Sequence, residues 1–335
     1  MQQHLEKPYA IGVDIGGTKI NMGIIDDQGK ILFKNKLNTQ PEKGFEFIMD
    51  NIAENLEWMI SESGIDEFQI RCAGFGIPGT TDPVKGEVIF APNLGWRNIP
   101  FRELMSNRIN LDIYLGQDTQ AGSLAEFMFG AGRGCENIVC VTLGTGIGCG
   151  IIINRKIYRG SLFSAGELGH IIVELNGRKC NCGRRGCLEV YASGSAVVRE
   201  ARKQIPNYED YMAKPSTGFT AKDLYDIAAR GNDAALQVIE KQVEYIGMGI
   251  VNVINILSPD KIIISGGMCK ENTLLIKPLQ EFVKRSAYGP AAERVEIVRA
   301  DLGEDAPMIG AALFYKDFQS KGREKDTVNG EVISC

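Results

Sequence analysis

The residues with the sharpest chemical meaning are His170, Cys180, Cys182 and Cys187, in the pattern His-x9-Cys-x-Cys-x4-Cys. The chain holds only two histidines and nine cysteines, and one histidine lies just upstream of the one cysteine cluster. Three thiolates and one imidazole make a closed tetrahedral zinc site, with no open position for a catalytic water. A closed site holds a loop in place rather than doing chemistry. Gly183 and Gly186 let the loop fold back on a metal, and Arg184 and Arg185 offset thiolate charge. The remaining cysteines are scattered, make a poor disulfide framework, and read as small buried hydrophobes.

Three strand-like runs end in glycine turns: Gly12-Val-Asp-Ile-Gly-Gly-Thr18, Val141-Thr-Leu-Gly-Thr-Gly146 and Ile263-Ile-Ser-Gly-Gly267. Glycine lets a backbone approach an anion closely, so such turns can cradle phosphates, although glycine turns are also common in α/β proteins. In the first, Gly16, Gly17, Thr18 and Lys19 offer N–H, hydroxyl and ammonium donors, and Asp14 can hold Mg²⁺ through water. It is no Walker A loop, because Thr18 stands where the lysine belongs. The plain alternative is a hairpin turn with a solvated lysine. In the second, Cys149 occupies the last glycine place of a dinucleotide fingerprint, and the turn joins two strands. A hairpin tip that binds β- and γ-phosphates accounts better for Gly144, Thr145 and Gly146.

Asp118 ends a strand-like run and precedes a helical one, so it is either a general base for an attacking hydroxyl or a helix cap. Glu167 and Glu189 bracket the cysteine cluster. Each carboxylate accepts two hydrogen bonds, which suits a polyhydroxy ligand, or is merely solvated.

The elements that position these residues alternate in period. Tyr9 to Asp14, Lys19 to Asp26 and Lys30 to Lys36 read as strands, the latter two joined by a turn too tight for anything but antiparallel pairing. Phe45 to Ser61 has helical spacing, Ile70 to Ile77 and Ile113 to Leu115 are strands, and Thr119 to Phe129 is a helix. Ile138 to Leu143 and Gly150 to Ile153 form a hairpin around the second turn. Helices follow at Ala221 to Ala229, Ala234 to Leu257, Thr273 to Ser286 and Met308 to Phe318, with strands at Lys261 to Ile264 and Val295 to Val298. From Gln319 onward the chain reads as a loose tail.

At 335 residues the chain fits two α/β domains. With 44% hydrophobic and 24% charged residues it is an ordinary globular sequence, and wholesale disorder is excluded. The net charge of −5 argues against a nucleic-acid-coating surface. No signal-peptide core precedes Tyr9, and apolar runs such as Ile246 to Leu257 are too short to cross a bilayer. The expectation is a soluble, cytoplasmic protein without nucleic-acid or membrane partners.

Taken together, these motifs resemble the ROK family of sugar kinases and sugar-responsive repressors. The resemblance runs from about Tyr9 to Phe318. Its motifs are Asp14-x-Gly-Gly-Thr-Lys19, Gly76-Ile-Pro-Gly79, Ala91-Pro-Asn-Leu-x-Trp96, Asp118, Leu143-Gly-Thr-Gly-x-Gly148, Gly166-Glu-x-Gly-His170, Cys180-x-Cys-Gly-x-x-Gly-Cys-x-Glu189 and Ser265-Gly-Gly267. The cysteine motif with its upstream histidine is the specific one.

The resemblance implies a two-domain, actin-like ATPase fold of the ribonuclease H-like type, with ATP and sugar in an interdomain cleft and a structural zinc loop. It divides the chain into a smaller domain of residues 1–115 with 305–318, a larger one of 116–304, and a tail of 319–335. It implies an ATP-dependent kinase in which Asp118 deprotonates a hexose hydroxyl, usually that on C6, with glucose as first substrate. Asn93, Gln117, Glu167, His170 and Glu189 match sugar-contacting positions, and Gly76 the floor of that site. His170 would bind zinc through one ring nitrogen and the sugar through the other. The turns at 14 to 19 and 144 to 146 match phosphate loops, and Gly266-Gly267 the adenosine site. ATP, Mg²⁺ and structural Zn²⁺ are the implied cofactors, and a homodimer or tetramer the implied assembly.

One departure bears on the substrate. The family usually has Asn-Asp-Ala-Asn around the base, and here the run is Gln117-Asp-Thr-Gln120. The longer amide re-aims a hydrogen bond, which leaves another hexose, an N-acetylhexosamine or a cyclitol open. Cys149, where the family commonly has glycine, is expected to restrict the phosphate hairpin. The rival classes are a non-catalytic sugar-responsive regulator, for which Asp14 leaves no room for a preceding helix-turn-helix, and a nicotinamide dehydrogenase, for which the fingerprint fails.

Overall fold

The structure, a computed structural model, describes residues 7–212, 218–270 and 273–317. It contains β1 (Tyr9–Ile15), β2 (Lys19–Asp26), β3 (Ile31–Asn38), α1 (Gly44–Ser63), β4 (Ile70–Ile77), β5 (Thr80–Asp82), β6 (Glu87–Ala91), β7 (Trp96–Ile99), α2 (Phe101–Ser106), β8 (Asp112–Gln117) and α3 (Asp118–Phe129). There follow β9 (Ile138–Leu143), β10 (Ile147–Ile153), β11 (Lys156–Ile157), α4 (Glu189–Ala192), α5 (Gly194–Gln204), α6 (Ala221–Ala229) and α7 (Asp233–Leu257). The chain continues through β12 (Lys261–Ser265), α8 (Ile276–Ser286), α9 (Ala291–Arg294), β13 (Glu296–Arg299) and α10 (Ala306–Ala312).

Two compact units result. One runs to Ala125 and takes up again at Asp305; the other is Glu126–Glu304. The boundary falls inside α3, so the helix that starts at Asp118 belongs to the first unit at its beginning and to the second at its end.

The first unit is built on a five-stranded sheet in the order β3-β2-β1-β4-β8. β1, β2 and β3 form an antiparallel meander, and β4 and β8 add in parallel to β1. The β2–β3 turn is tight because the Asp26 carboxylate accepts the N–H groups of Gln28 and Lys30, both at 2.9 Å. The helix α1 buries Ile48, Met49, Ile52, Leu56 and Met59, one face at helical spacing, and stops at Gly64 with φ 68°. α10 lies directly on the strands. A Cβ on Gly12 would strike the Met308 carbonyl, and one on Gly74 the Ala311 carbonyl. Gly12 therefore serves backbone-to-backbone packing of a helix on a sheet, not the neighbouring turn.

The second unit repeats the pattern in the order β11-β10-β9-β12-β13, with an antiparallel meander and then two parallel additions. Its core gathers Val139, Val141 and Leu143 of β9 and Ile262 and Ile264 of β12 with α7 residues such as Ile246 and Ile250. A capping box between Thr220 and Asp223 starts α6, and Asn232 caps α7 through the Ala235 N–H at 3.0 Å.

Several boundaries differ from the sequence expectation. β10 starts at Ile147 rather than Gly150, because the pairing Leu143↔Ile147 closes the hairpin within three residues. α8 starts at Ile276 rather than Thr273. The last helix is Ala306–Ala312, with a break at Leu313 and a further helical turn over 314–317. The small sheet β5-β6-β7 was not expected; its strands are short and carry proline, glycine and asparagine between them. The tail expected from Gln319 lies outside the described residues. Among the described residues, no helix is long and apolar enough to cross a membrane.

Candidate active site

In the first unit, the carboxyl ends of the parallel strands bring the expected residues together. Asp14 on β1 stands opposite Gly76 on β4, Gly76 opposite Gly116 on β8, and Ile77 opposite Gln117. Ligands of α/β sheets commonly gather at such strand ends. Gly76 brings α3 close: a Cβ there would lie 3.4 Å from the Asp118 Cα and 3.6 Å from the Ala121 Cβ.

Asp14 accepts a hydrogen bond from Asn21 Nδ2 at 3.2 Å. Burial, and after it the negative charge of Asp118, pushes the Asp14 carboxyl up to about 7. Two carboxylates so placed favour either a shared proton or a cation. The adjoining turn is fixed from both sides. Gly16 N–H donates to the Lys19 carbonyl at 2.9 Å, while the buried Thr39 donates its hydroxyl to the Gly16 carbonyl at 2.6 Å and its N–H to the Thr18 carbonyl at 2.9 Å. Thr18 and Lys19 stay exposed. The exposed Asn93, in the turn Pro92–Leu94, sits beside Gly17, whose Cβ would lie 3.5 Å from the Asn93 Cβ.

Asp118 is the first residue of α3, and its Oδ1 accepts the N–H of Thr119 at 2.7 Å. Gln117 Oε1 accepts from Gln120 Nε2 at 3.4 Å. Gln120 is buried, and its own Oε1 has no partner among the described residues.

In the second unit, the β9–β10 tip is tied down on its carbonyl side. Gly144 N–H donates to the Gly146 carbonyl at 3.0 Å, Gly194 N–H to the Gly144 carbonyl at 2.8 Å, and the Ser195 hydroxyl to the Thr145 carbonyl at 2.9 Å. Beside it, the parallel β12 is followed by Gly266, with φ 99°, where a Cβ would run into the Leu143 carbonyl. Gly267 opens the short turn that follows. Cys149 does not restrict the tip. It lies inside β10 with its thiol in the core, and burial, with the charge of Glu167 second, pushes that thiol up to about 12.

The metal-ligand set is assembled. One ligand atom from each of His170, Cys180, Cys182 and Cys187 lies within 4.8 Å of every other. His170 Nδ1 is 3.9 Å from Cys180 Sγ, and Cys182 Sγ is 3.6 Å from Cys187 Sγ. Thiolates about 2.3 Å from a tetrahedral ion stand roughly 3.8 Å apart, so the donors fit one. The thiols themselves ask for a cation. Burial and the neighbouring thiols push Cys187 up to about 12. Burial also raises Cys182, but hydrogen bonds from Arg184, Cys180 and Cys187 outweigh it and bring that thiol below its ordinary value. The loop is closed by the Ile172↔Cys187 and Lys179↔Arg185 bridges.

Glu167 is exposed and precedes the turn Leu168–His170, which it starts by accepting the His170 N–H through its carbonyl at 3.0 Å. Glu189 opens α4, and its Oε2 accepts the N–H of Ile147 at 3.0 Å. The expected residues thus form two groups: Asp14 to Lys19, Gly76, Asn93, Gln117 and Asp118 in one unit, and Gly144 to Gly146, Glu167, His170, the cysteines, Glu189, Gly266 and Gly267 in the other. Sequence reasoning missed Asn21, Thr39, Gly194 and Ser195. They act from neighbouring strands or from a helix start, and only the register reveals them.

The ROK family model matches residues 10–318. The chain belongs to the ROK family. Its relatives include a glucokinase of Thermotoga maritima, 36% identical over 318 residues that cover 93% of this chain and 99% of that protein. A glucokinase of Halalkalibacterium halodurans is 33% identical over 326 residues, 95% of this chain and 99% of its own. Among solved structures, the ROK family glucokinase from Streptomyces griseus in complex with glucose and AMPPNP superposes with a TM-score of 0.79 at 34% identity, covering 91% of this chain and 98% of that one. This ROK protein thus has the actin-like ATPase fold of its kinase neighbours, and its Cys/His cluster is suited to a metal ion.

Proposed function

We propose that this ROK protein is an ATP-dependent hexose kinase that phosphorylates the C6 hydroxyl, with glucose as first substrate and Asp118 as general base. The observation that carries the reading is the pair Asp14 and Asp118, set at parallel strand ends beside a glycine turn, with the Asp14 carboxyl raised to about 7 by burial and by Asp118. That is a place for a cation and a proton acceptor side by side, which phosphoryl transfer to an alcohol needs. The glucokinase relatives support the sugar and the nucleotide.

In this reading Asp118 accepts the proton of the sugar hydroxyl as its oxygen bonds to the γ-phosphorus of ATP. The bond from that phosphorus to the bridging oxygen breaks, and ADP leaves with the electron pair. Gly17, Thr18 and Lys19 on one turn and Thr145 and Gly146 on the other donate to phosphate oxygens, with Gly16 and Gly144 shaping those turns through their own N–H bonds; Gly266 lets its turn pack against β9, and Gly267 leaves room for the adenosine. Asp14 would hold Mg²⁺ through water, which neutralises charge on the phosphates. His170, Cys180, Cys182 and Cys187 would hold Zn²⁺ as a structural ion.

Asn93, Gln117, Glu167, Glu189 and the Nε2 of His170 supply hydrogen bonds to sugar hydroxyls, with Gly76 at the floor. With Nδ1, which lies 3.9 Å from Cys180 Sγ, on the ion, the proton of a neutral His170 would sit on Nε2. Buried polar groups that go unpaired with the wrong sugar give selectivity. ADP release from MgATP, measured against a panel of hexoses and cyclitols, tests the reading. The expected result is release that depends on one hexose; release indifferent to every sugar contradicts it.

A further inference from the structure

The last metal ligand lies about forty residues beyond the phosphate hairpin in the chain, yet the segment that follows it meets the hairpin in space. Cys187 is buried in the metal cluster, Leu188 N–H donates to the Ile171 carbonyl at 2.9 Å, and Glu189 follows at once. Glu189 Oε2 then accepts the Ile147 N–H at 3.0 Å. A Cβ on Gly146 would collide with that same carboxylate oxygen, so glycine at 146 is what lets the carboxylate reach the tip. The chain continues through Ser193 to Gly194 and Ser195, which take the carbonyls of Gly144 and Thr145. Residues 187 to 195 are one short strap with the metal ligand Cys187 at one end and, along it, hydrogen bonds that join Glu189, Gly194 and Ser195 to the hairpin.

We propose that the metal loop orders the nucleotide's phosphate hairpin, with Glu189 as the positioning residue that transmits it. The proposal rests on reading residues 144–146 as a phosphate loop and deepens that reading: the metal serves the nucleotide as well as the sugar. Bound metal fixes Cys187 and hence the backbone of Glu189. The carboxylate then holds the Ile147 N–H, and the tip keeps a single shape for an anion to meet. Without the metal the strap loses its anchor and the tip samples other conformations, so a nucleotide must bear the cost of ordering it.

A binding experiment without sugar separates this from the sugar role of Glu189. ADP affinity is measured by calorimetry for the metal-loaded full chain, the chelator-stripped chain, Glu189→Gln and Glu189→Ala, with metal content determined for each. Backbone amide exchange is followed at Ile147, with the core amide of Ile263 as control. Glutamine keeps a side-chain oxygen for the Ile147 N–H, so Glu189→Gln is expected to hold ADP within about twofold of wild type. Glu189→Ala, at full metal content, and the stripped chain are each expected to lose roughly tenfold or more in ADP affinity. Both should exchange the Ile147 amide faster while Ile263 stays protected. Unchanged ADP affinity and unchanged Ile147 exchange in Glu189→Ala would overturn the proposal. If the loaded wild-type chain binds no ADP, the phosphate reading itself fails, a result distinct from either.

Discussion

The two units repeat one sheet topology and make different chemistry with it. In each, a three-stranded antiparallel meander is extended by two parallel strands, and a glycine turn leaves the end of the first strand. At that strand end the first unit carries Asp14, a carboxylate held near neutrality by burial and by Asp118. The second carries Thr142, whose hydroxyl lies 3.4 Å from that of Ser265. The supports differ as well. The first turn is fastened by Thr39, a residue of the same meander region. The second is fastened by Glu189, Gly194 and Ser195, about fifty residues further along and joined directly to the metal loop. A scaffold sets where a turn sits; what the turn does depends on the charge beside it and on what stiffens it.

The largest expected effect concerns the unit with the carboxylates. Asp118→Asn removes the proton acceptor and is expected to lower kcat by about 10³-fold or more, with sugar affinity within about threefold, in steady-state kinetics and calorimetry. Retained turnover would return Asp118 to a structural role. Next comes the unit with the metal loop. Cys182→Ala is expected to lose the ion by elemental analysis and to raise the sugar KM by about 10- to 100-fold, since outer supports of a site carry effects of that size. Full metal content would refute the ligand assignment.

The pH dependence of stability distinguishes the units again. Asp14 binds its proton more tightly folded, at about 7, than at the ordinary carboxylate value of 3.8. Between those values the folded state therefore holds more protons than the unfolded one, so stability falls as pH rises through about 4 to 7. The slope approaches roughly 1 kcal/mol per pH unit for one such group. Denaturant titrations of the metal-free chain should show that slope, and Asp14→Asn should flatten it. The same slope in the variant would place its origin elsewhere. The smallest effect belongs to specificity: Gln117→Asn is expected to raise kcat/KM for glucose by a few-fold relative to the other hexoses. An unchanged ranking across the panel would remove the longer amide as its cause.

Legibility in the sequence followed the same division. The Cys/His cluster was readable because its four residues fall within one short stretch and their chemistry admits few alternatives. Asp14, Asp118 and the turns were readable as candidates because each ends a strand-like run. What holds them was not readable. Thr39 reaches Gly16 through sheet register, Gly194 reaches Gly144 through its backbone N–H, and neither bond leaves a mark in residue spacing. Gly12 misled in the opposite direction: it lies in the phosphate-turn motif, yet its lack of a side chain serves the close approach of α10. The strands β5 to β7 were hidden by their shortness, since three to five residues carry no period.

The central claim is that a phosphoryl group moves from ATP to a hexose alcohol with Asp118 as the base. Phosphorus NMR of the protein incubated with MgATP and glucose tests it most directly. The account predicts a sugar phosphate resonance coupled to the C6 protons, growing in step with ADP and absent for Asp118→Asn. Phosphorus released only as inorganic phosphate, at a rate indifferent to the sugar, would contradict it.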